Sequence, residues 1–159
     1  MYNESMKNEF YQFPESLGYL TIVTGRLFSA FTNRELASMR LDLTAEQWAL
    51  LRLLLNEDGK SQDELLHRTR CEKSSLSRLL EGMENKGLVR RERDARDGRR
   101  KRVFLTEKGG AQGVQGTGHA LETLHELYAG IDPDDLDTCR RVLLYVQTEL
   151  LRKLGWEEA

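Results

Sequence analysis

The sequence has few of the features that mark secreted, membrane or fibrous proteins. Its 159 residues include two cysteines and two prolines, which disfavours a disulfide-stapled scaffold and a proline-rich disordered chain. No apolar run is long enough to cross a bilayer, and the first ten residues lack the basic start and apolar stretch of a secretory signal. We therefore expect a globular protein of the cytoplasm with no membrane partner, built as a single domain over residues 1–159.

The formal net charge of −2 conceals an uneven distribution of charge along the chain. The window 86–102, KGLVRRERDARDGRRKR, holds nine basic against three acidic residues and carries +6, which leaves −8 for the remainder. A basic segment on an acidic body is the electrostatic pattern expected of a nucleic-acid-binding protein. The whole-chain charge is therefore no argument against such a partner.

Apolar residues that recur every three or four positions predict a helix over residues 15–40 and shorter helices after it. Two short helices over residues 61–69 and 72–86, the second amphipathic, outline a helix-turn-helix. Local signals for helix starts and ends stand at Thr44, at Ser61 with Glu64, at Gly87, at Gly130, and at Asp132 with Pro133.

Strand-like segments at residues 88–91 and 102–105 flank the turn dipeptide Asp97-Gly98. A helix-turn-helix followed by a basic β-hairpin is a winged helix. The predicted fold class is thus mainly α with a small β-hairpin wing, and the winged helix-turn-helix part covers residues 43–105. Helices with apolar stripes flank this part in residues 10–40 and 106–159.

The segment 109–118, GGAQGVQGTG, contains five glycines in ten positions. Each glycine costs about 1 kcal/mol relative to alanine inside a helix. The sequence leaves three structures open for this segment: a hinge, a frayed end, or a helix held by packing against a partner.

The second helix of the motif presents a polar surface that suits a DNA groove. Its apolar residues should face the core, which leaves Lys73, Ser74, Ser77 and Arg78 on other faces and Ser75 near the boundary. Short hydroxyl side chains allow a close approach to the major groove, and an arginine reaches phosphates or guanine edges. The alternative is an ordinary amphipathic helix whose polar face is only solvated.

The predicted wing carries Arg96, Arg99 and Arg100 around one turn, where mutual repulsion is unfavourable unless an anion binds. Asp94 and Asp97 precede Arg96 and Arg99 by two residues, a spacing that allows each carboxylate to hold a guanidinium. An oriented arginine on a hairpin tip suits a narrow minor groove. A solvated run of charges is the alternative, and the adjoining helix-turn-helix makes it the weaker one.

Several of these segments resemble the multiple antibiotic resistance regulator (MarR) family of bacterial winged-helix transcription factors. The resemblance rests on Leu43-Thr44 with Gln47-Trp48, on the Ser75–Leu79 helix, on Lys86–Arg90, and on Asp94–Arg100 running into Leu105–Gly109. It covers nearly the whole chain, and only the glycine segment departs from it, where the family pattern has an unbroken helix.

The resemblance implies a homodimer in which the first, fifth and sixth helices interlock through residues 10–40 and 106–159. Each protomer would place its recognition helix in one major groove of a pseudo-palindromic double-stranded operator, with half-sites roughly 34–36 Å apart. The family pattern places Arg99 in the minor groove, held by Asp97. We predict a DNA-binding set of Ser61, Gln62, Lys73, Ser74, Ser75, Ser77, Arg78, Arg96, Asp97, Arg99 and Arg100.

The same resemblance suggests a repressor that releases DNA when a small aromatic or phenolic ligand binds. Candidate ligand contacts are Tyr19, Arg26, Trp48 and His67. We expect neither an enzyme nor a cofactor, because the three histidines form no metal-ligand spacing and no catalytic triad pattern with the cysteines.

Two other functions stay open. Cys71 precedes the recognition helix, so its oxidation could disturb DNA binding, although a small buried residue in the turn is the simpler interpretation. Cys139 is interpreted as filling the core or an interface. A winged helix can also serve as a protein-interaction module.

Overall fold

A computed structural model describes residues 14–94, 97 and 100–156 of the chain. Its elements in chain order are α1 (Leu17–Ser38), α2 (Ala45–Asn56), β1 (Lys60–Ser61), α3 (Gln62–Thr69), α4 (Lys73–Asn85), β2 (Val89–Arg93), β3 (Lys101–Leu105), α5 (Glu107–Tyr128) and α6 (Pro133–Leu154). The predicted fold class is confirmed. The chain divides into two compact units, one ending at Ala120 and the other beginning at Leu121.

The helix-start signals read from the sequence are confirmed. Thr44 Oγ1 accepts a hydrogen bond from the Gln47 N–H, and the Gln47 side chain accepts one from the Thr44 N–H, each at 3.2 Å. Ser61 and Glu64 form the same reciprocal pair ahead of α3. Asp132 caps α6 by accepting from the Asp134 N–H at 2.8 Å. These caps satisfy backbone donors that have no partner inside the helix.

The two predicted helix-ending glycines behave differently. Gly87 has a φ of +66°, the left-handed conformation expected after a helix. Gly130 stands just after the end of α5 at Tyr128, as predicted, although its φ is not positive. The Ile131 N–H closes this turn by donating to the Tyr128 carbonyl at 2.9 Å.

The wing is part of a three-stranded antiparallel sheet with the order β1-β3-β2. Val89 pairs with Leu105 and Arg93 with Lys101 along the predicted hairpin. The strand β1 was not predicted, because two residues show no alternation and become a strand only by pairing with β3, where Lys60 faces Val103. Thus β3 is the central strand.

The core of the winged helix brings the inner faces of three helices against the sheet. As predicted for the second helix of the motif, α4, Leu76, Leu80 and Met83 are buried, and Leu79 is half-buried against the core. The other nearly fully buried residues are Leu36, Leu50, Leu51, Leu54, Leu65, Leu88, Val89 and Val103. With its apolar side held by this core, α4 must turn its polar side outward.

The glycine segment is a continuous helix, because it lies wholly inside α5. Gly109, Gly113 and Gly116 recur at helical spacing on its buried face. A Cβ at Gly113 would lie 2.8 Å from Leu55 Cδ1, and one at Gly116 would lie 2.6 Å from Trp48 Nε1. Of the three structures left open, the helix held by packing is the one found, and the packing partner is α2 of the same chain.

Long apolar faces remain exposed in each unit. In α1, Leu27 is 64% exposed, and Leu20 and Ile22 are also exposed. In α6, Tyr145 is 69% exposed and Leu144 is exposed with it. Cys139 on α6 is exposed as well, so the prediction that it could fill the core is wrong for the single chain. Within the part of the chain that the structure describes, no helix combines the length and apolar character needed to cross a membrane.

Candidate nucleic-acid interface

The outer face of α4 is polar and open to solvent. Since Leu76 and Leu80 point into the core, the polar residues between and before them face outward. Exposed on this helix are Lys73, Ser74, Ser75, Ser77 and Arg78, which are all five of its predicted DNA-binding residues. Arg78 Nε lies 3.4 Å from the Ser74 carbonyl, which orients the guanidinium along the helix.

A groove of about 260 Å³ lies between the first turns of α3 and α4 and the base of the wing. It is lined by Ser61, Gln62, Asp63, Leu66, Lys73, Leu76, Ser77, Arg100 and Lys101. The fold therefore brings together five of the predicted DNA-binding residues, from both helices of the motif and from the wing. Three cationic side chains line this groove against one carboxylate, so it favours an anionic partner.

Ser61, at the edge of this groove, stabilises the start of α3 as its N-cap residue. Its side chain is buried and accepts a hydrogen bond from the Glu64 N–H at 3.2 Å. In return, the Ser61 N–H donates to Glu64 Oε2 at 2.7 Å, and this hydrogen bond is the main cause of the fall in the pKa of the Glu64 carboxyl from 4.5 to about 2. The capping box thus holds the first turn of α3, where Gln62 lies.

The lowered pKa of Glu64 predicts how the stability of the folded chain depends on pH. Because the Glu64 pKa is lower in the folded chain than in the unfolded one, its contribution to the free energy of unfolding is complete above pH 4.5 and disappears as the pH falls towards 2. Glu64→Gln keeps the side-chain acceptor for the Ser61 N–H but cannot titrate. In urea unfolding at a series of pH values, we expect the difference between wild type and variant to shrink between pH 4.5 and 2. A constant difference would contradict the prediction.

A buried carboxylate holds the base of the wing, by which we mean the place where β2 and β3 lead into the turn of the hairpin. Asp94 is 8% exposed and forms an ion pair with the Arg102 guanidinium. Arg102 Nη1 also donates to the Gly59 carbonyl at 2.7 Å, and Asp94 Oδ1 accepts from the Asp97 N–H at 3.2 Å. These bonds connect both strands of the hairpin to the turn before β1.

The predicted carboxylate–arginine pairs of the wing are only partly within the described residues. Arg96 and Arg99 lie outside them, so the pairing of Arg99 with Asp97 stays a prediction. The structure shows Asp97 Oδ2 3.5 Å from Arg100 Nε. Sequence spacing missed Arg102 as the partner of Asp94, and only the register of the hairpin, which pairs Glu92 with Arg102, could have indicated it.

The four candidate ligand residues lie on three helices. Tyr19 and Arg26 are on α1, Trp48 is on α2 and His67 is on α3. Arg26 is exposed and the other three are half-buried. The contacts described for Trp48 are with Arg52 and with the helix at Gly116, and neither is one of the other three candidates.

Trp48 itself has an unusual environment. Its Nε1 is buried and has no hydrogen-bond partner among the described residues. The Arg52 guanidinium lies 6.0 Å from the centre of the indole ring, and Arg52 Nη1 donates to Thr117 Oγ1 at 2.7 Å. A buried indole N–H without an acceptor is rare.

Neither a metal site nor an exposed reactive thiol was found beside the groove. In residues 14–94, 97 and 100–156, no three His, Cys, Asp or Glu side chains cluster so that they could hold a metal ion. Cys71 is half-buried against the core, and its Sγ lies 3.1 Å from Thr69 Oγ1. This environment agrees with the interpretation of Cys71 as a small packing residue of the turn.

Comparison with known proteins leads to one family. The model of the MarR family matches residues 41–100. The transcriptional regulator HosA of Escherichia coli is 44% identical over 68 residues, which are 43% of this chain and 50% of HosA. The chain thus spans about half the length of the curated relatives it matches.

Solved structures extend the likeness to most of the chain. A crystal structure of MarR has 25% identity and a TM-score of 0.73, and the alignment covers 92% of this chain and 98% of that one. The MepR–DNA complex of Staphylococcus aureus has 24% identity and a TM-score of 0.77, with 85% and 98% covered, and shows the fold alone.

Proposed function

We propose that the chain is a transcriptional regulator of the MarR family, whose model matches residues 41–100, and that it binds double-stranded DNA as a homodimer and represses transcription from a pseudo-palindromic operator. The groove between α3, α4 and the wing is the observation that carries the proposal. It joins hydroxyl, amide and cationic groups from three elements on one concave surface. Phosphate contacts position a protein on DNA and base contacts give specificity, and this set of groups provides for both.

In the proposed complex, α4 lies in the major groove with its serine-rich face against the bases. Ser74, Ser75 and Ser77 are short enough for close approach, and Arg78 reaches a base edge or a phosphate. Lys73 and Arg100 flank the groove and bind phosphates. From the family resemblance we assign Arg99 to the minor groove, and Arg96 stays in the predicted DNA-binding set.

The homodimer is supported by the exposed apolar faces. Leu27 on α1 and Tyr145 on α6 are both more than 60% exposed, and similar residues accompany each along its helix. Apolar faces of this length are rarely left in water and mark interaction surfaces. A dimer with two-fold symmetry would place its two recognition helices one helical turn apart on DNA, roughly 34–36 Å.

We further propose that a small aromatic acid is the effector that releases the DNA. The support within this chain is the half-buried Trp48, whose ring can stack on an aromatic ligand. Arg52, 6.0 Å from that ring, would supply the charge for a carboxylate. We do not propose thiol oxidation as the signal, because Cys71 packs against the core.

The test is a binding titration of the purified protein with DNA from upstream of its own gene, over a series of salt concentrations. Six to ten phosphate contacts would weaken binding roughly 10³- to 10⁵-fold between 50 and 200 mM salt. We expect two chains per site, and weaker binding when small aromatic acids such as hydroxybenzoates are added.

Lys73→Ala should lower the salt slope by about 1 for each protomer, while Arg140→Ala, an exposed cation on α6, should leave the slope unchanged. A flat salt dependence would contradict binding to the phosphate backbone. Capture of acidic proteins without protection of any DNA in a footprint would instead support the protein-interaction module.

A further inference from the structure

The two elements proposed to contact DNA, α4 and the wing, are joined by a short connection. Only residues 86–88 separate the end of α4 at Asn85 from the start of β2 at Val89. A connection of this length keeps the helix and the hairpin close together, but their relative angle depends on contacts between them. One such contact is made by Glu84, in the last turn of α4.

Glu84 holds a single residue of β2 by its backbone and by its side chain. Glu84 Oε1 accepts a hydrogen bond from the Arg91 N–H at 3.3 Å. Glu84 Oε2 accepts one from Arg91 Nε at 2.8 Å and another from Arg91 Nη2. Hydrogen bonds between ionised groups are roughly twice as strong as those between neutral groups. Because these bonds reach both the main chain and the guanidinium of Arg91, they fix β2 relative to α4.

The pair is partly shielded from water. The side chain of Arg91 is 19% exposed and that of Glu84 is 37% exposed, whereas the neighbouring Arg90 on β2 is 52% exposed. The hydrogen bonds from the Arg91 side chain hold the pKa of the Glu84 carboxyl below its ordinary value, so the carboxyl is ionised at neutral pH. The charge of Arg91 is therefore used inside the protein, although Arg91 belongs to the basic window 86–102.

The sign of the effect on DNA binding distinguishes a positioning role from a purely electrostatic one. A carboxylate near DNA repels phosphates, so its removal should strengthen binding if repulsion is its only effect. Glu81 provides the reference, because it is an exposed carboxylate on α4 about one turn before Glu84. If removal of Glu84 weakens binding instead, the carboxylate must position groups that bind DNA.

We propose that Glu84 is a positioning residue for DNA binding, which through Arg91 holds the wing at a fixed angle to α4 so that both elements reach one half-site together. The inference rests on the proposed function and adds to it a pair outside the predicted DNA-binding set. Arg102 ties the wing to Gly59 ahead of β1, and the Glu84–Arg91 pair ties it to α4. A wing held in this way before binding has less conformational freedom to lose on DNA.

The experiment compares Glu84→Ala, Glu84→Gln and Glu81→Ala with the wild type in DNA titrations, at a temperature where thermal melting shows all four proteins to be folded. We expect Glu84→Ala to bind about tenfold more weakly than the wild type. The affinity of Glu84→Gln should lie between the two, since its amide oxygen still accepts from Arg91. Glu81→Ala should bind as tightly as the wild type or more tightly, because it only loses a negative charge.

A second set of variants tests whether the loss lies in the wing. Arg100→Ala in the wing and Lys73→Ala in α4 are each combined with Glu84→Ala. In the Glu84→Ala background, Arg100→Ala should weaken binding by a smaller factor than in the wild type, because the wing is no longer held at its site. Lys73→Ala should weaken binding by the same factor in both backgrounds. A purely structural role would lower the Tm without this selective change.

Equal affinities of Glu84→Ala and Glu81→Ala for DNA would overturn the inference. So would an equal loss from Arg100→Ala in both backgrounds, because the wing would then keep its place without Glu84. If the wild type binds no DNA at any salt concentration, the proposed function itself fails and the inference fails with it, a result distinct from a loss confined to Glu84→Ala.

Discussion

Gly109→Ala is expected to lower the free energy of unfolding by about 3 kcal/mol or more, whereas Gly110→Ala is expected to raise it by roughly 0.5–1 kcal/mol. A Cβ at Gly109 would lie 1.9 Å from the carbonyl oxygen of Leu88 and 2.8 Å from the carbonyl carbon. These are backbone atoms, which cannot turn aside as the end of a side chain can. A Cβ at Gly110 would have no atom within 4 Å apart from its chain neighbours and the adjacent helix backbone, so alanine there gains helix propensity without a clash.

The loss at Gly109 would extend beyond one contact. The Leu88 carbonyl accepts hydrogen bonds from the Thr106 N–H and Oγ1, both at 3.1 Å, so moving α5 away would also weaken the junction between the wing and α5. Urea unfolding followed by circular dichroism measures the difference. The free energy of unfolding of Gly113→Ala should lie between those of Gly109→Ala and Gly110→Ala. The atom nearest to its added Cβ is Leu55 Cδ1, the end of a flexible side chain that can move aside. Equal stabilities for Gly109→Ala and Gly110→Ala would contradict the close approach.

Arg102→Ala is expected to lower the free energy of unfolding by about 1–3 kcal/mol and to weaken DNA binding at the same time. The substitution removes the Arg102 cation from the buried Asp94 carboxylate and removes the donor to the Gly59 carbonyl. The Arg102 side chain is 42% exposed, so the loss should be smaller than for a fully buried pair. Because Asp94 and Arg102 hold the base of the wing, the wing tip should lose its fixed position on DNA.

Arg100→Ala is the matched control for this prediction. Its pair with Asp97 spans 3.5 Å, and the two side chains are 61% and 49% exposed, so its removal should cost less than about 1 kcal/mol. The salt slope of DNA binding by Arg100→Ala should nevertheless fall, because Arg100 lines the groove proposed to bind DNA. A double-mutant cycle with Asp94→Ala should show coupling for Arg102. If Arg102→Ala lowered the salt slope and left stability unchanged, Arg102 would bind DNA directly, which contradicts its role in holding the wing.

Much of the fold followed from signals a few residues long. The Thr44 and Ser61 capping boxes, the left-handed Gly87 and the apolar spacing of α4 each depend on neighbours within one or two helical turns. The polar face of α4 followed from the same spacing, because the burial of Leu76, Leu80 and Met83 fixes the rotation of the helix about its own axis.

Other features depend on residues that are far apart along the chain. Whether the glycine segment is helical was decided by Leu88 and by the α2 side chains that Gly113 and Gly116 contact. Arg102, the ionic partner of Asp94, is also tied to Gly59, 43 positions away. Local spacing in the sequence cannot predict such contacts, because helix packing and sheet register decide which distant residues come together.

The sequence by itself determined the winged helix, since capping, periodicity and the charge of residues 86–102 are local properties. It also indicated which polar residues of α4 face outward. Only the tertiary structure decided that Ser61, Lys73 and Arg100 line one groove, that Ser61 is buried at its edge, and that α5 is unbroken. The physical reason is that close approach and burial are properties of atoms brought together by folding, and neither is encoded in any single stretch of the chain.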